Sequence, residues 1–237
     1  LGPVLTNTAI LWLAYVALEP HVRRLWPVIL ISWTRILEGR IRDPRIGRDV
    51  LVGLAVGVGV AIAGLSWAFV AQWMNGVPGT PRATNVQFLR GNGPLVGALL
   101  RMVPNALQNA MLMSFVFVIA RTLLRNSWLA VLATALVLGL FVLTESSGEA
   151  PLFSIILISA VFVIPIVAAL LLFGLFAQAL AFLVNQALSN SPLTLDLWNP
   201  HASASLIVMF AILAAAAFGY YASRGGQPLF GRTLSRE

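Results

Sequence analysis

Few side chains in this 237-residue chain have types and spacings that could support catalysis or metal binding. Glu145 and Glu149 are close enough for paired acid-base chemistry, but they flank a short turn with Ser and Gly, where a solvated loop is the plainer interpretation. His21 and His201 fall at opposite ends of predicted hydrophobic spans about 30 Å long, so they cannot share one metal or haem within a chain. The chain has no Cys, which excludes thiolate ligands and nucleophiles. We therefore predict no catalytic residue, no cofactor and no metal site.

Three amide side chains, Asn105, Gln108 and Asn109, follow Pro104 at one end of an apolar run. Polar side chains in lipid usually form hydrogen bonds between helices, which is the plainer interpretation. The same role is expected for the polar residues of the run 152–188, which are Gln178, Asn185 and Gln186. The alternative is a ligand or ion path, for which Asn105 and Asn109 are the first candidates because they lie one helical turn apart. The clearest apolar runs contain no ionisable residue, which disfavours proton- and ion-coupled carriers.

The most polar segment of the chain, residues 19–49, holds seven Arg. From Pro27 to Gly39 the apolar residues recur at helical spacing, which predicts an amphipathic helix in the membrane interface with Ser32 and Arg35 on its polar side. The residues assigned to contact with anionic lipid headgroups or to partner docking are Arg23, Arg24, Arg35, Arg40, Arg42, Arg45 and Arg48. The Trp residues assigned as interfacial anchors are Trp26, Trp33 and Trp128.

Two interpretations of this segment stay open. It is either a cytoplasmic loop that only fixes orientation, or a regulatory or docking helix. After it, Asp43 and Pro44 supply an N-cap and a first-turn proline for the next helix, on which Arg45 and Asp49 are spaced to pair. That helix carries Gly53, Gly57 and Gly64 on a small-residue surface, which predicts close helix packing within the fold or between subunits.

The composition places most of the chain in lipid. Hydrophobic residues make up 59% of it and charged residues only 10%, against about 25% charged in soluble domains. The fold class is therefore predicted to be all-α, a polytopic membrane protein with six or seven transmembrane helices plus one amphipathic interfacial helix. The spans are predicted at 3–18, 50–74, 102–120, 127–144 and 202–222, with one or two more in 152–188.

The uncharged run 152–188 would be about 55 Å long as one helix, too long for a single crossing. It either folds back near Gly174 or is one span broken at Pro165. If the run folds back, the Arg residues of 19–49, 121–126 and 223–237 all lie on one side of the membrane. Cytoplasmic loops are enriched in Arg and Lys, so we prefer seven spans. The predicted divisions are a first, truncated span over 1–18, an Arg-rich interfacial segment over 19–49, a bundle over 50–222 and a cytoplasmic tail over 223–237.

Three runs of residues carry a resemblance to a known group of proteins. The first run contains Leu18-Glu19-Pro20, Val22-Arg23-Arg24, Trp26-Pro27, Leu30-Ile31-Ser32-Trp33, Arg35, Gly39-Arg40, Arg42-Asp43-Pro44 and Gly47-Arg48-Asp49. The other two are Pro192-Leu193-Thr194-Leu195-Asp196 and Gln227-Pro228-Leu229-Phe230-Gly231. The chain thereby resembles the multi-pass tails that follow the catalytic domain in one group of bacterial receptor-type serine/threonine protein kinases.

The resemblance implies a non-catalytic anchoring and sensing module in the bacterial inner membrane, with the kinase domain upstream. The chain itself has no Lys for the nucleotide phosphates and no HRD-type loop, so it is not expected to be an enzyme. It starts at Leu1 without a signal peptide, and we expect it to be part of a longer protein. Expected partners are membrane lipids and other membrane subunits or a second copy, and not nucleic acid. Two other functions stay open: an accessory subunit of a membrane complex, and a permease or channel.

Overall fold

The computed structural model describes residues 31–75, 92–145, 152–191 and 202–225, together with Ala9, Trp12, Leu13 and Val16. Regular structure in these ranges is helical, without strands, which confirms the all-α class for them. The helices are α1 (Ile31–Leu37), α2 (Pro44–Asn75), α3 (Asn92–Leu124), α4 (Ser127–Glu145), α5 (Leu152–Phe173), α6 (Leu175–Asn190) and α7 (Ala202–Ser223). Predictions that concern Arg23, Arg24, Trp26 and most of the first span and the tail lie outside the described residues.

The start of α2 follows the predicted capping signal. Oδ1 of Asp43 accepts a hydrogen bond from the backbone N–H of Arg45 at 2.9 Å, and the helix begins at Pro44. This is six residues earlier than the predicted span at 50, and α3 likewise begins at Asn92, ahead of the predicted 102. The helices continue beyond the uncharged windows, because charged side chains are tolerated near the ends of an apolar helix.

Helix α1 ends where the sequence predicts, and Ile36 of its apolar side packs on the core, but Ser32 and Leu37 lie on the sides opposite to those predicted. Gly39 has a φ of +78°, and the N–H groups of Arg40 and Gly39 donate to the carbonyls of Arg35 and Ile36 at 2.9 and 3.0 Å, which is a Schellman motif. Ser32, predicted on the polar side, is buried, while Leu37 is 72% exposed. The prediction was wrong at these two positions because α1 packs on the end of the bundle, where the buried carboxylate of Asp49 accepts a hydrogen bond from the Ser32 hydroxyl.

Helix directions follow from close contacts with α2. Gly53 lies against the carbonyl of Ala177 and Gly57 against that of Ala181, so α2 and α6 run parallel. Gly47 lies against the C-terminal end of α7 near Ser223, so α7 runs antiparallel to α2. Contacts of α6 with α3 run in the opposite sense, from the Ser114–Gln178 pair to the cluster of Met102 with Ala187. Helix α3 is therefore antiparallel to α6.

The long uncharged run reverses direction at Gly174. This glycine has a φ of +100°, a conformation that side-chain-bearing residues rarely adopt, and its N–H donates to the carbonyl of Leu170 at 2.9 Å. Helix α5 is antiparallel to α2, since Phe173 lies near Arg48 and Phe162 near Gly64, whereas α6 is parallel to α2. Pro165 lies inside α5 and does not end it.

The main core lies where α3, α4, α5 and α6 meet. Phe117, Ala130, Val167 and Leu170 are fully buried there, and Val60 of α2 closes the cluster. A second cluster joins α2 and α6 near Ile46. Helix α6 is thus surrounded by its neighbours and is the element against which α2 and α3 are placed.

Three helical segments in the described part of the chain are long and apolar enough to cross a membrane: Pro44–Ser66, Gly97–Leu124 and Ser205–Ser223. This is fewer than the six or seven predicted. Ser127–Val137 and Ala160–Phe173 are shorter apolar helical stretches. Large apolar side chains are exposed around the bundle, for example Phe69, Leu132 and Phe210. A belt of this extent needs lipid or protein to cover it.

Candidate functional site

Arginines gather at one end of the bundle, which we call the arginine end. It is the end at which α2, α4 and α6 begin and α3, α5 and α7 finish. The arginines that lie there are Arg35, Arg40, Arg42, Arg45, Arg48, Arg121, Arg125 and Arg224. Among the arginines that the structure describes, only Arg101 lies elsewhere, about 30 Å away along α3.

A buried carboxylate, that of Asp49, organises the centre of the arginine end. Its side chain is 1% exposed and accepts a hydrogen bond from the hydroxyl of Ser32 on α1. A carboxylate without donors is costly in such a place, so Ser32 is drawn inside. Asp49 forms its ion pair with Arg48 rather than with the predicted Arg45.

The guanidinium of Arg48 has two partners. Its Nη2 lies 3.3 Å from Oδ1 of Asp49, and its carbon Cζ lies 5.1 Å from the centre of the Phe173 ring. Cations over aromatic faces are attracted to the ring electrons. Ser32, Arg48, Asp49 and Phe173, which we call the Asp49 cluster, therefore link α1, α2 and the end of α5 beside the reversal at Gly174.

The turn between α1 and α2 presents three exposed arginines, Arg40, Arg42 and Arg45. Arg35 is half-buried and forms an ion pair with Asp43, so it holds the turn rather than facing a lipid. Arg40 lies 3.6 Å from Glu38 but is largely exposed, as are Arg42 and Arg45. Residues 39–43 line a shallow open depression. This surface can bind anions, which its arginines attract from several directions.

The predicted aromatic anchors occupy different environments. Trp128 is 79% exposed at the start of α4, at the arginine end, while Trp33 of α1 is half-buried. An exposed indole at the end of an apolar helix is typical of residues at a membrane–water interface.

The predicted small-residue surface of α2 lies inside the fold. A Cβ atom at Gly53 or Gly57 would come within 2.7 Å of a carbonyl oxygen of α6, and one at Gly64 within 2.9 Å of the Phe162 ring. Sequence reasoning did not name Gly47, which makes the same kind of contact with α7. These glycines let α2 approach its neighbours closely.

The predicted polar residues of α3 lie together on an outward surface. Asn105 and Asn109 are exposed and Gln108 is half-exposed, one to two turns from the exposed Arg101. We call Arg101, Asn105, Gln108 and Asn109 the α3 polar face. The opposite side of this stretch, with Ala106 and Ala110, is buried.

A polar pair joins α3 and α6 within the core, and Gln178 thereby forms a bond between helices of the kind expected for it, although its partner Ser114 was not predicted. The Oγ of Ser114 lies 2.7 Å from the carbonyl oxygen of Ala110 and 2.9 Å from Oε1 of Gln178. The hydroxyl has one hydrogen, so it donates to one of these two oxygens at a time. Gln178 is fully buried, and its Nε2 has no hydrogen-bond partner. Its position in an uncharged run was the only available signal.

Comparison with protein families, with curated proteins and with solved structures finds no match for this chain. The function is therefore argued from the site. Among the described residues, no three His, Cys, Asp or Glu side chains come together. The groups that meet at the arginine end can bind anions and join helices.

Proposed function

We propose that the chain is a non-catalytic anchoring module embedded in a bacterial inner membrane, with the arginine end on the cytoplasmic side. The observation that carries this proposal is the gathering of arginines at one end of an apolar bundle, with Arg101, about 30 Å away, as the one arginine elsewhere among those that the structure describes. Cytoplasmic loops are the ones enriched in Arg and Lys.

Seven crossings are the topology of this proposal. The reversal at Gly174 and the alternating directions of α2 to α7 support six of them, and the run 3–18 supplies the first. The exposed Arg40, Arg42 and Arg45 then face anionic headgroups, each contributing about 1 kcal/mol to membrane attachment. Arg35 is assigned to the Asp43 ion pair instead.

The domain that this module anchors to the membrane is proposed to be a serine/threonine kinase domain. This part rests on the resemblance of residues 18–49 to the tails of bacterial receptor-type kinases. The Asp49 cluster supports a sensing role, because it joins the Arg-rich segment to the end of α5 and would transmit a movement of that helix to α1.

The kinase assignment is tested by identifying the native polypeptide. An antibody against the tail would isolate the protein from membranes of the source bacterium, and peptide sequencing would read the residues that precede Leu1. We expect peptides with a glycine-rich loop, a strand Lys and an HRD-type motif in the same chain. A protein with none of these would contradict the kinase assignment and leave the anchoring topology to its own test.

A further inference from the structure

The α3 polar face has the position of a binding surface rather than of a packing surface. Its four residues follow one another at steps of four, three and one, so they share one side of the helix. Arg101, Asn105 and Asn109 are exposed, while the adjacent Met102, Ala106 and Ala110 are buried against the bundle.

The depth of Asn105 and Asn109 in the membrane makes the exposure of their amide side chains unusual. If Arg101 lies at the outer headgroup level, Asn105 and Asn109 lie about 6 and 12 Å deeper, within hydrocarbon. Nearer the arginine end the same side of α3 is apolar, with Leu112, Phe115 and Ile119 exposed. The polar part is therefore confined to the outer half, where bare amides against acyl chains would be unfavourable.

We propose that the α3 polar face docks a membrane-spanning helix of another polypeptide, and that this helix carries an acidic side chain at the level of Arg101. The amides can both donate and accept, so they suit many polar partners. Arg101 makes a second copy of the chain an unfavourable partner. A symmetric pair of copies related by an axis along this face would bring two positively charged Arg101 side chains together. An acidic residue instead complements the arginine, and the amides bind polar groups one to two turns deeper.

The inference rests on the membrane embedding proposed above, and the experiment separates the two. The full chain, expressed in its source bacterium, carries a photoreactive phenylalanine analogue in place of Leu112, one turn beyond Gln108 on the same side and outside the polar face. A matched chain carries the analogue in place of Leu132, which is exposed to a similar degree on α4.

We expect the Leu112 position to form a cross-link to one other polypeptide, within a spanning helix that contains Asp or Glu, and the Leu132 position to form none with it. Arg101→Glu should lower the yield about tenfold, which corresponds to the loss of one strong polar contact. Changing the partner's acidic residue to Arg should restore it. Asn109→Leu, which leaves the buried side of α3 intact, should lower the yield without changing the elution volume of the purified chain.

The proposal is overturned by cross-links only to lipid or only to a second copy, by a cross-linked helix without an acidic residue, or by a yield that Arg101→Glu leaves unchanged. Single cysteines placed at positions 109 and 132 distinguish a failure of the docking proposal from a failure of the membrane embedding. Labelling by a water-soluble maleimide at position 109 alone would indicate a water-filled path and end the docking proposal. Labelling at both positions would show that the membrane embedding itself is wrong.

Discussion

At the scale of single residues, the arginine end is organised by one buried acid and its donors. Asp49 lies inside because α2 begins six residues before its uncharged stretch, which carries the carboxylate into the contact with α1. The Ser32 hydroxyl donates to Oδ2 of this carboxylate, and the Arg48 guanidinium donates to Oδ1. Removing a donor leaves a buried charge with fewer partners, which costs more than the bond itself contributes.

Ser32→Ala tests this account of α1. We expect the free energy of unfolding to fall by about 1.5–3 kcal/mol, since the lost bond is made to a charged group. Thermal unfolding followed by circular dichroism in detergent would measure it, and proteolysis of the α1 segment would become faster. Ser66→Ala, a serine exposed on the same bundle, serves as the control and should change neither readout. Equal effects of the two substitutions would contradict the role given to Ser32.

Local signals predicted the ends of elements better than the contacts between them. The Asp43 cap, the stop at Gly39 and the break at Gly174 depend on the residue itself and its immediate neighbours. The partners of Ser32 and Ser114 lie 17 and 64 residues away along the chain. No pattern over a single helix could have found them, and the surface given to α1 was wrong for this reason.

At the scale of helices, the packing of α2 depends on where its glycines lie. Gly57 faces α6 with no room for a side chain, whereas Gly59, two residues on, has open space around it. The sequence predicted a small-residue surface on α2 but could not say which helix it meets, because small residues permit contact with any neighbour. The structure assigns that neighbour as α6 for Gly53 and Gly57.

The two glycines provide a matched pair of substitutions. Gly57→Ala should destabilise the bundle by about 1–3 kcal/mol, because its Cβ would lie 2.7 Å from the Ala181 carbonyl and α2 would have to move. Gly59→Ala introduces the same methyl group into the same helix and should be neutral or stabilising by up to about 1 kcal/mol. The measurement is the thermal midpoint of each variant in detergent. Equal destabilisation by both would mean that α2 does not pack on α6 through Gly57.

At the scale of the whole molecule, charge and apolar surface are arranged along one axis. The arginine end gathers loops that are far apart in sequence, and the exposed apolar residues form a belt between it and Arg101. Composition alone predicted an all-α membrane protein, because few other structures satisfy backbone groups in lipid. The number of crossings was harder to predict, since uniformly apolar runs carry no signal of direction. The reversal of 152–188 depends on a single glycine.

The placement of the arginine end on one side of a membrane is the central claim. The chain contains no Cys, so single cysteines can be introduced without removing others. Ile41→Cys and Leu123→Cys lie at exposed positions of the arginine end, and Ser147→Cys lies in the loop predicted to face outwards. Labelling with a membrane-impermeant maleimide in intact spheroplasts and in inverted vesicles would report the side of each.

We predict that Ser147→Cys is labelled in spheroplasts and that Ile41→Cys and Leu123→Cys are labelled only in inverted vesicles. Labelling of Ile41→Cys and Leu123→Cys from opposite sides, or of either one in intact spheroplasts, would contradict the account.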